Sequence, residues 1–368
     1  MTKVVYIISD INKAVFFEHT ALRLRDSGIN ISFILINSSK GALYTFLKSN
    51  GFVVYLLEVK KLIHSLPQIL ECAKILRNIK PDAIHCHLSE ANFIGLTASL
   101  LAGVKIRIFT RHAGLPLAYS RKENMIDQWQ NTLATKIVAI TENTKQLLIS
   151  QGVSESKIKI VHHGFDLDRM MRPDSSEVKR IIEEFNPEDK FPVVGVIARW
   201  MKWKGIQYII PAFENLLKEY PNAKLCLFNA SDNADYSQEI HQMLKKLPVQ
   251  SYQTVSFEKN IYDLYQLFDI YVHVPVNPNC EAFGQTYVEA LAAGIPSVFT
   301  LSGVAREFIT EENAHIVDFE NSEQILMKMK SIIVKEKTPE TLLKNGREIV
   351  SKMFSLEKYI STLLSIYQ

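Results

Sequence analysis

Two glutamates around a glycine loop carry the most informative chemistry in this chain: Glu281-Ala-Phe-Gly-Gln-Thr-Tyr-Val-Glu289, running on into Ala290-Leu-Ala-Ala-Gly-Ile-Pro-Ser-Val298. Gly294 suits the left-handed C-terminal position of a helix and Pro296 cannot continue one, so the helix that the loop opens is short. The apolar Ile295 to Phe299 then reads as a buried strand. Glu281 falls on the loop and Glu289 in the opening turns of the helix, so both carboxylates can face one ligand at the helix N-terminus. The free amides there, around Phe283, Gly284 and Gln285, suit an anion such as a phosphate. Carboxylates that accept from hydroxyls, beside amides that hold a phosphate, describe a site for a sugar nucleotide. Two glutamates at this spacing also occur on solvated helix faces; the glycines, the proline and the following strand favour the site.

A second piece of chemistry lies at Gly195-Val-Ile-Ala-Arg199, which closes an apolar run, and at Lys204-Gly205 just beyond it. On one strand-to-helix loop, a guanidinium fork and a mobile ammonium can converge on a diphosphate. A solvated basic loop is the plainer alternative, and Lys202 shows how common such charges are. Trp200 and Trp203 flank the pair and read as packing residues. Thr110-Arg111-His112-Ala-Gly114 follows the apolar Ile106 to Phe109, so His112 stands at a strand's carboxyl end. Imidazole there offers one donor and one acceptor near neutral pH. A histidine satisfied by backbone remains the other reading. His85-Cys-His87 puts two imidazoles on one face by strand alternation, but no third ligand is spaced nearby, so a metal site is not expected.

The first segment resembles the E-x7-E signature of the retaining GT-B glycosyltransferases of group 1, or family 4, including their F-G-x-x-x-x-E-A-x-A-x-G-x-P continuation. The second resembles the family's G-x-x-x-R-x-x-x-x-K-G loop. The resemblance implies a sugar transferred, with retention, from a nucleotide-diphosphate sugar, UDP- or GDP-linked. The acceptor would be a glycan, a lipid-linked glycan or another hydroxyl, with no metal and no further cofactor. It implies donor binding by Arg199, Lys204, Glu281, Ala282, Phe283, Gly284, Gln285 and Glu289, and catalytic roles for His112, Glu281, Arg199 and Lys204. His112 occupies a T-x-H-type position that faces the donor sugar in relatives. His85 and His87 resemble the end of the family's D-x-x-H-x-H strand, a cleft-lining or structural place, with His87 on the acceptor side. Two departures stand out. The Gly-Gly pair after the first strand is replaced by Ser9-Asp10-Ile11-Asn12-Lys13, so Asp10, Asn12 and Lys13 would meet an acceptor through side chains. The P-N-G-x-D turn appears as Val161-His-His163-Gly-Phe-Asp166, with Gly164 and Asp166 structural and the role of His163 open. Asp166-Leu-Asp168 reads as a capped turn rather than a metal-binding D-x-D. The competing readings are a sugar-nucleotide epimerase of the same fold and a non-catalytic sugar-nucleotide binder. A dehydrogenase is disfavoured because no G-x-G-x-x-G follows the first strand.

The elements that must position these residues alternate in a βαβ rhythm. Strands are expected at Val4 to Ile8, Ile31 to Ile36, Val53 to Leu57, Ala83 to Cys86, Ile106 to Phe109, Ile137 to Ile140 and Ile158 to Val161. Helices fall between them, among others at Phe16 to Arg25, Ser65 to Arg77 and Asn92 to Leu101. The rhythm restarts with strands at Val193 to Ala198, Ala223 to Phe228, Thr254 to Ser256, Ile270 to Val274 and Pro296 to Phe299. The fold class is therefore α/β, two Rossmann-like doubly wound domains with parallel sheets. Residues 1–170 are read as an acceptor domain, 171–191 as a linker and 192–353 as the donor domain, with the ligand cleft between the domains. The Phe354-Ser-Leu-Glu start of the last helix resembles relatives whose C-terminal helix crosses back, so residues 354–368 are assigned to the first domain.

Composition is compatible with this. A chain of 368 residues exceeds one usual core, and 47% apolar with 22% charged residues is ordinary for a globular protein. A net charge of +3 argues for no nucleic-acid partner. Cys72, Cys86, Cys226 and Cys280 are scattered, which suggests reduced thiols and a cytoplasmic protein. The opening apolar run reads as a first strand rather than a signal peptide. No stretch has the length of a membrane span, which leaves peripheral contact at the inner face of a membrane as the open case, for instance around Arg121-Lys122 and Met125 to Trp129.

Overall fold

The computed structural model describes residues 1–9, 11–12, 15–37, 39–58, 65–112, 121–230, 234–334 and 340–367. The chain forms two compact units, Met1–Phe165 with Leu356–Gln368, and Asp166–Ser355. Among the described residues no helix is long and apolar enough to cross a membrane.

In the first unit the apolar runs become strands β1 (Lys3–Ser9), β2 (Asn30–Asn37), β3 (Val53–Glu58), β4 (Ala83–His87), β5 (Ile106–Arg111), β6 (Lys136–Ala139) and β7 (Ile158–Ile160). They pair in parallel in the order β3-β2-β1-β4-β5-β6-β7. Parallel strands need crossovers, and the helices that supply them cover both faces, which is why these strands lack a polar side. Alternation in β1 makes the division visible. Val5 and Ile7 pack with Ile69, Ile94 and Leu148, whereas Val4, Tyr6 and Ile8 pack with Phe17, Leu24 and the last helix, Leu356–Ile366. That helix buries Leu356, Tyr359, Ile360, Leu363 and Ile366. Each is worth at most roughly 1.5–3 kcal/mol of burial. Polar clamps fix its end: Tyr367 Oη lies 2.6 Å from Tyr6 Oη, and Lys136 Nζ donates to the Ile366 carbonyl at 2.6 Å.

The second unit repeats the pattern with β8 (Val193–Ile197), β9 (Lys224–Phe228), β10 (Tyr252–Val255), β11 (Ile270–His273), β12 (Ser297–Phe299) and β13 (His315–Ile316), in the order β10-β9-β8-β11-β12-β13. Twelve of these thirteen strands coincide with apolar runs that the sequence marks. The two-residue β13 carries too little periodicity to be seen.

Residues 171–191, expected as a linker, instead hold the helix Ser175–Phe185 and belong to the second unit. Asp174 caps that helix, accepting from the Ser176 amide at 2.9 Å. Just before it, Arg169 Nη1 donates to Asp263 Oδ1 at 2.8 Å, and the Asp174 amide donates to the same oxygen at 2.8 Å. A buried carboxylate with several donors holds this segment against the unit. Asp166 caps the helix Leu167–Met171 through the Arg169 amide at 3.3 Å, while Asp168 is exposed on it.

Candidate active site

In the second unit, β8 has β9 on one side and β11 on the other, so the strand order reverses between β8 and β11. Ligands of doubly wound sheets collect at the carboxyl ends of the strands at such a point. Lys204 lies on the connection after β8, and Glu281 on the connection after β11. The fold brings them together across 77 residues: Lys204 Nζ donates to Glu281 Oε1 at 2.5 Å.

Local backbone explains why the loops can do this. Gly205, between a short 3-10 turn (Lys202–Lys204) and the helix Ile206–Leu217, has φ +78°. A Cβ there would lie 1.9 Å from the Val274 carbonyl oxygen, so only glycine lets the loop after β8 press against the end of β11. Gly284, with φ +90°, starts the helix Gln285–Ala293 with no side-chain cap. The first amides of that nine-residue helix are thus not claimed by a capping side chain.

Both carboxylates are buried, Glu281 at 5% and Glu289 at 9% exposure, and they differ in electrostatics. Burial raises the Glu281 carboxyl, but His273 and Lys204 outweigh it and hold it below the usual carboxylate range. Its backbone amide donates to Ser302 Oγ at 3.1 Å, which fixes the loop. Among the described residues Glu289 has no cation in hydrogen-bond contact. Burial raises its carboxyl, and the Tyr265 hydroxyl, donating to Oε2 at 2.8 Å, offsets only part of that. Arg199 stands exposed beyond β8 and is not part of the Lys204–Glu281 contact. Trp200 is buried in the core, as a packing residue should be, whereas the Trp203 ring centroid lies 4.5 Å from Lys204 Nζ. Phe283 packs its ring edge-on to Phe354, Ala282 and Gly284 are partly exposed, and Gln285 is exposed on the first helical turn.

The first unit assembles imidazoles instead. His85, His87 and His112 come from the ends of β4 and β5, and His163 from the connection after β7. The His85 and His87 rings lie 4.2 Å apart, and His112 stacks on His163 at 5.6 Å and 12°. His85 is fully engaged, with Tyr367 Oη 2.8 Å from Nδ1 and Thr110 Oγ1 2.8 Å from Nε2. His87 Nδ1 lies 3.4 Å from His112 Nε2, and its own Nε2 is buried without a hydrogen bond to a described residue. Donation from His87 Nδ1 leaves only a lone pair unmet at that nitrogen, a smaller cost than a stranded N–H, so His112 accepts at Nε2 and carries its proton on Nδ1. Burial pushes His85 and His163 down to about 3 and His112 to about 4, and His87 well below the ordinary value, so all four are neutral at pH 7. Among the described residues no His, Cys, Asp and Glu group is arranged to hold a metal.

Of the residues expected on the acceptor side, Asp10 and Lys13 lie outside the described residues. Asn12 is committed to the backbone: its Oδ1 accepts from the Ala42 amide at 3.1 Å, where the helix Ala42–Ser49 begins. Sequence reading missed His273, Tyr265 and Ser302, which support the two glutamates from β11, a 3-10 turn and the loop after β12. A signal existed for His273 alone, a histidine inside the apolar Ile270 to Val274.

Comparison with known proteins agrees with the two-sheet fold. The family model of glycosyl transferases group 1 matches residues 177–349, and that of glycosyltransferase family 4 matches residues 14–169. The chain is 25% identical over 324 residues to the capsular polysaccharide biosynthesis glycosyltransferase CapM of Staphylococcus aureus, covering 83% of this chain and 81% of that protein. A glycosyltransferase from Rickettsia africae superposes with a TM-score of 0.83 at 20% identity, covering 100% of this chain and 97% of that one. Anabaena HepE in complex with UDP-glucose gives 0.81 at 21% identity, covering 99% and 100%.

Proposed function

The chain belongs to the group 1 glycosyltransferases of the GT-B fold, and from that premise we propose that it moves a sugar from a nucleotide-diphosphate sugar onto a glycan, lipid-linked glycan or other hydroxyl acceptor. The observation that carries the reading is Glu281, buried and ionised beside Lys204 on the loop that opens an uncapped helix. The amides of Phe283, Gly284 and Gln285, at the start of this helix, with Lys204 and Arg199, take the donor diphosphate. Glu281 accepts from hydroxyls of the donor sugar and Glu289 from those of the ribose. That HepE is bound to UDP-glucose supports a UDP-linked donor.

Catalysis then rests on stabilising charge on the departing diphosphate. The bond from the anomeric carbon to the phosphate oxygen breaks, and the acceptor oxygen bonds to the same face of that carbon, so configuration is retained. The acceptor's proton passes to the leaving phosphate oxygen. Because cationic side chains and helix amides meet the developing charge, no divalent ion is required. His112 is neutral, and its Nδ1–H, free of the His87 contact, suits it to donate a hydrogen bond to a ligand oxygen. The four buried, free cysteines favour a reducing, cytoplasmic setting.

Thermal unfolding in the presence of UDP- and GDP-sugars tests the reading, since a ligand that binds only the folded state raises its stability with occupancy. One sugar nucleotide should raise the midpoint in the wild-type protein and do so far less in Glu289→Ala. No response to any sugar nucleotide would remove the proposal, and conversion of a donor to its epimer without acceptor would replace it with an epimerase.

A further inference from the structure

Glu281 has one oxygen, Oε1, that serves two neighbours. Lys204 Nζ approaches it at 2.5 Å and His273 Nε2 at 3.2 Å. The two contacts are unlike. Lys204 is a flexible cation on the loop after β8, whereas His273 is the last residue of β11, 1% exposed, with its ring edge-on to Tyr287 at 4.7 Å. Neither ring nitrogen of His273 completes a hydrogen bond of good geometry with a described residue, although both are buried. A buried imidazole N–H without an acceptor is costly, and the carboxylate oxygen 3.2 Å from Nε2 is the one that Lys204 now occupies.

We infer that His273 is a positioning residue for Glu281, taking over its Oε1 when Lys204 turns from that oxygen to the phosphates of a bound donor. The inference rests on the donor reading given above. A carboxylate 5% exposed that lost Lys204 and gained nothing would be an unpaired buried charge, and would take up a proton instead of accepting from sugar hydroxyls. The strand holds His273 in place while the lysine moves, so the carboxylate keeps one donor in both states. Imidazole suits the place because, in its neutral form, it donates through Nε2 without competing with Lys204 for negative charge. The groups facing Glu281 from the packed elements are Lys204, His273 and the Tyr287 hydroxyl side of the helix, with Cys280 preceding it in the chain.

The experiment is the pH dependence of UDP-sugar affinity, by calorimetry, in the wild-type protein, His273→Gln and His273→Leu, together with the 13C titration of the Glu281 carboxyl in donor-free protein. The ionised carboxylate accepts from hydroxyls more strongly than the protonated acid, so affinity falls as pH drops through the Glu281 pKa. In His273→Leu that acid limb moves up by about one pH unit, the worth of one hydrogen bond to a charged group, and the carboxyl titration in the free protein moves the same way. His273→Gln places an amide N–H where Nε2 stood and restores the wild-type limb. Folding is checked by the unfolding midpoint, and a merely structural histidine would lower that midpoint in both variants without moving the limb. An unmoved limb in a folded His273→Leu overturns the inference. If the wild-type protein binds no sugar nucleotide, the donor reading fails instead, and the carboxyl titration alone still decides whether His273 governs Glu281.

Discussion

The two units place their polar residues at equivalent strand ends but by opposite physical means. In the second unit, Glu281 stays ionised because a cation and an imidazole converge on one oxygen, and glycines let the loops approach. In the first unit, three buried imidazoles and the partly exposed His112 stay neutral because aromatic packing and neutral hydrogen bonds replace most of their water. The lesson is that a strand end can present charge only where the loops bring counter-charge, whereas a buried strand end without such a loop keeps its titratable groups uncharged.

Acid should separate the units most strongly. Each imidazole lowered by burial binds its proton in the unfolded chain first. Its contribution to stability is therefore full above the ordinary value near 6.5 and is lost as pH falls toward about 4 for His112 and about 3 for His85 and His163. At about 1.4 kcal/mol per pH unit for each fully shifted group, the first unit should lose on the order of several kcal/mol between pH 6.5 and pH 5. The second unit has His273 and His315 shifted the same way, and should lose less. Urea titrations read by Trp129 in the first unit and by Trp200 and Trp203 in the second would resolve the two transitions; equal acid sensitivity would break the contrast.

Next in size, Lys204→Met should lower kcat/KM for transfer by about 10²–10³, as for other groups that stabilise developing negative charge. Kinetics with the donor found by thermal screening check this, and a loss under about threefold would detach the cation from the chemistry.

A smaller effect is expected from Tyr265→Phe, which removes a hydroxyl donating to Glu289 Oε2. It should cost roughly 1–3 kcal/mol at pH 7. The Glu289 carboxyl is raised by burial, so its contribution is complete below the ordinary carboxylate value and declines as pH rises through its folded value. The deficit of the variant should therefore fade in acid and grow toward neutrality. Denaturant unfolding at several pH values would show the trend, and a deficit independent of pH would sink this account of Glu289.

Smallest should be the difference between His87→Leu and His87→Asn. Loss of the donor to His112 Nε2 should cost about threefold to tenfold in kcat, the worth of one neutral hydrogen bond, and asparagine should restore most of it. Imidazole 15N shifts of His112 would report whether its proton stays on Nδ1; an unchanged tautomer in His87→Leu would contradict the assigned pair.

Much of this was legible beforehand, for identifiable reasons. Parallel strands buried on both faces leave apolar runs, so twelve strands stood out, as did the Gly284 loop, whose helix ends at Gly294. The helix after Asp174 was also legible, since Asp174-Ser-Ser-Glu177 is a capping pattern, but the polar composition around it was read as a linker. After β1, Asn12 accepts from the Ala42 amide where a helix begins, a contact across thirty residues that the local sequence does not show.

By itself the sequence determined the two-sheet rhythm and the residues at the ends of the strands, because periodicity and turn chemistry are local. The tertiary structure alone decided who stands beside whom: His273 and Lys204 at one oxygen of Glu281, Tyr265 at Glu289, His163 stacked on His112. Protonation states follow from those meetings, since burial and a partner's charge act through space over a few ångströms and leave no trace in the order of residues.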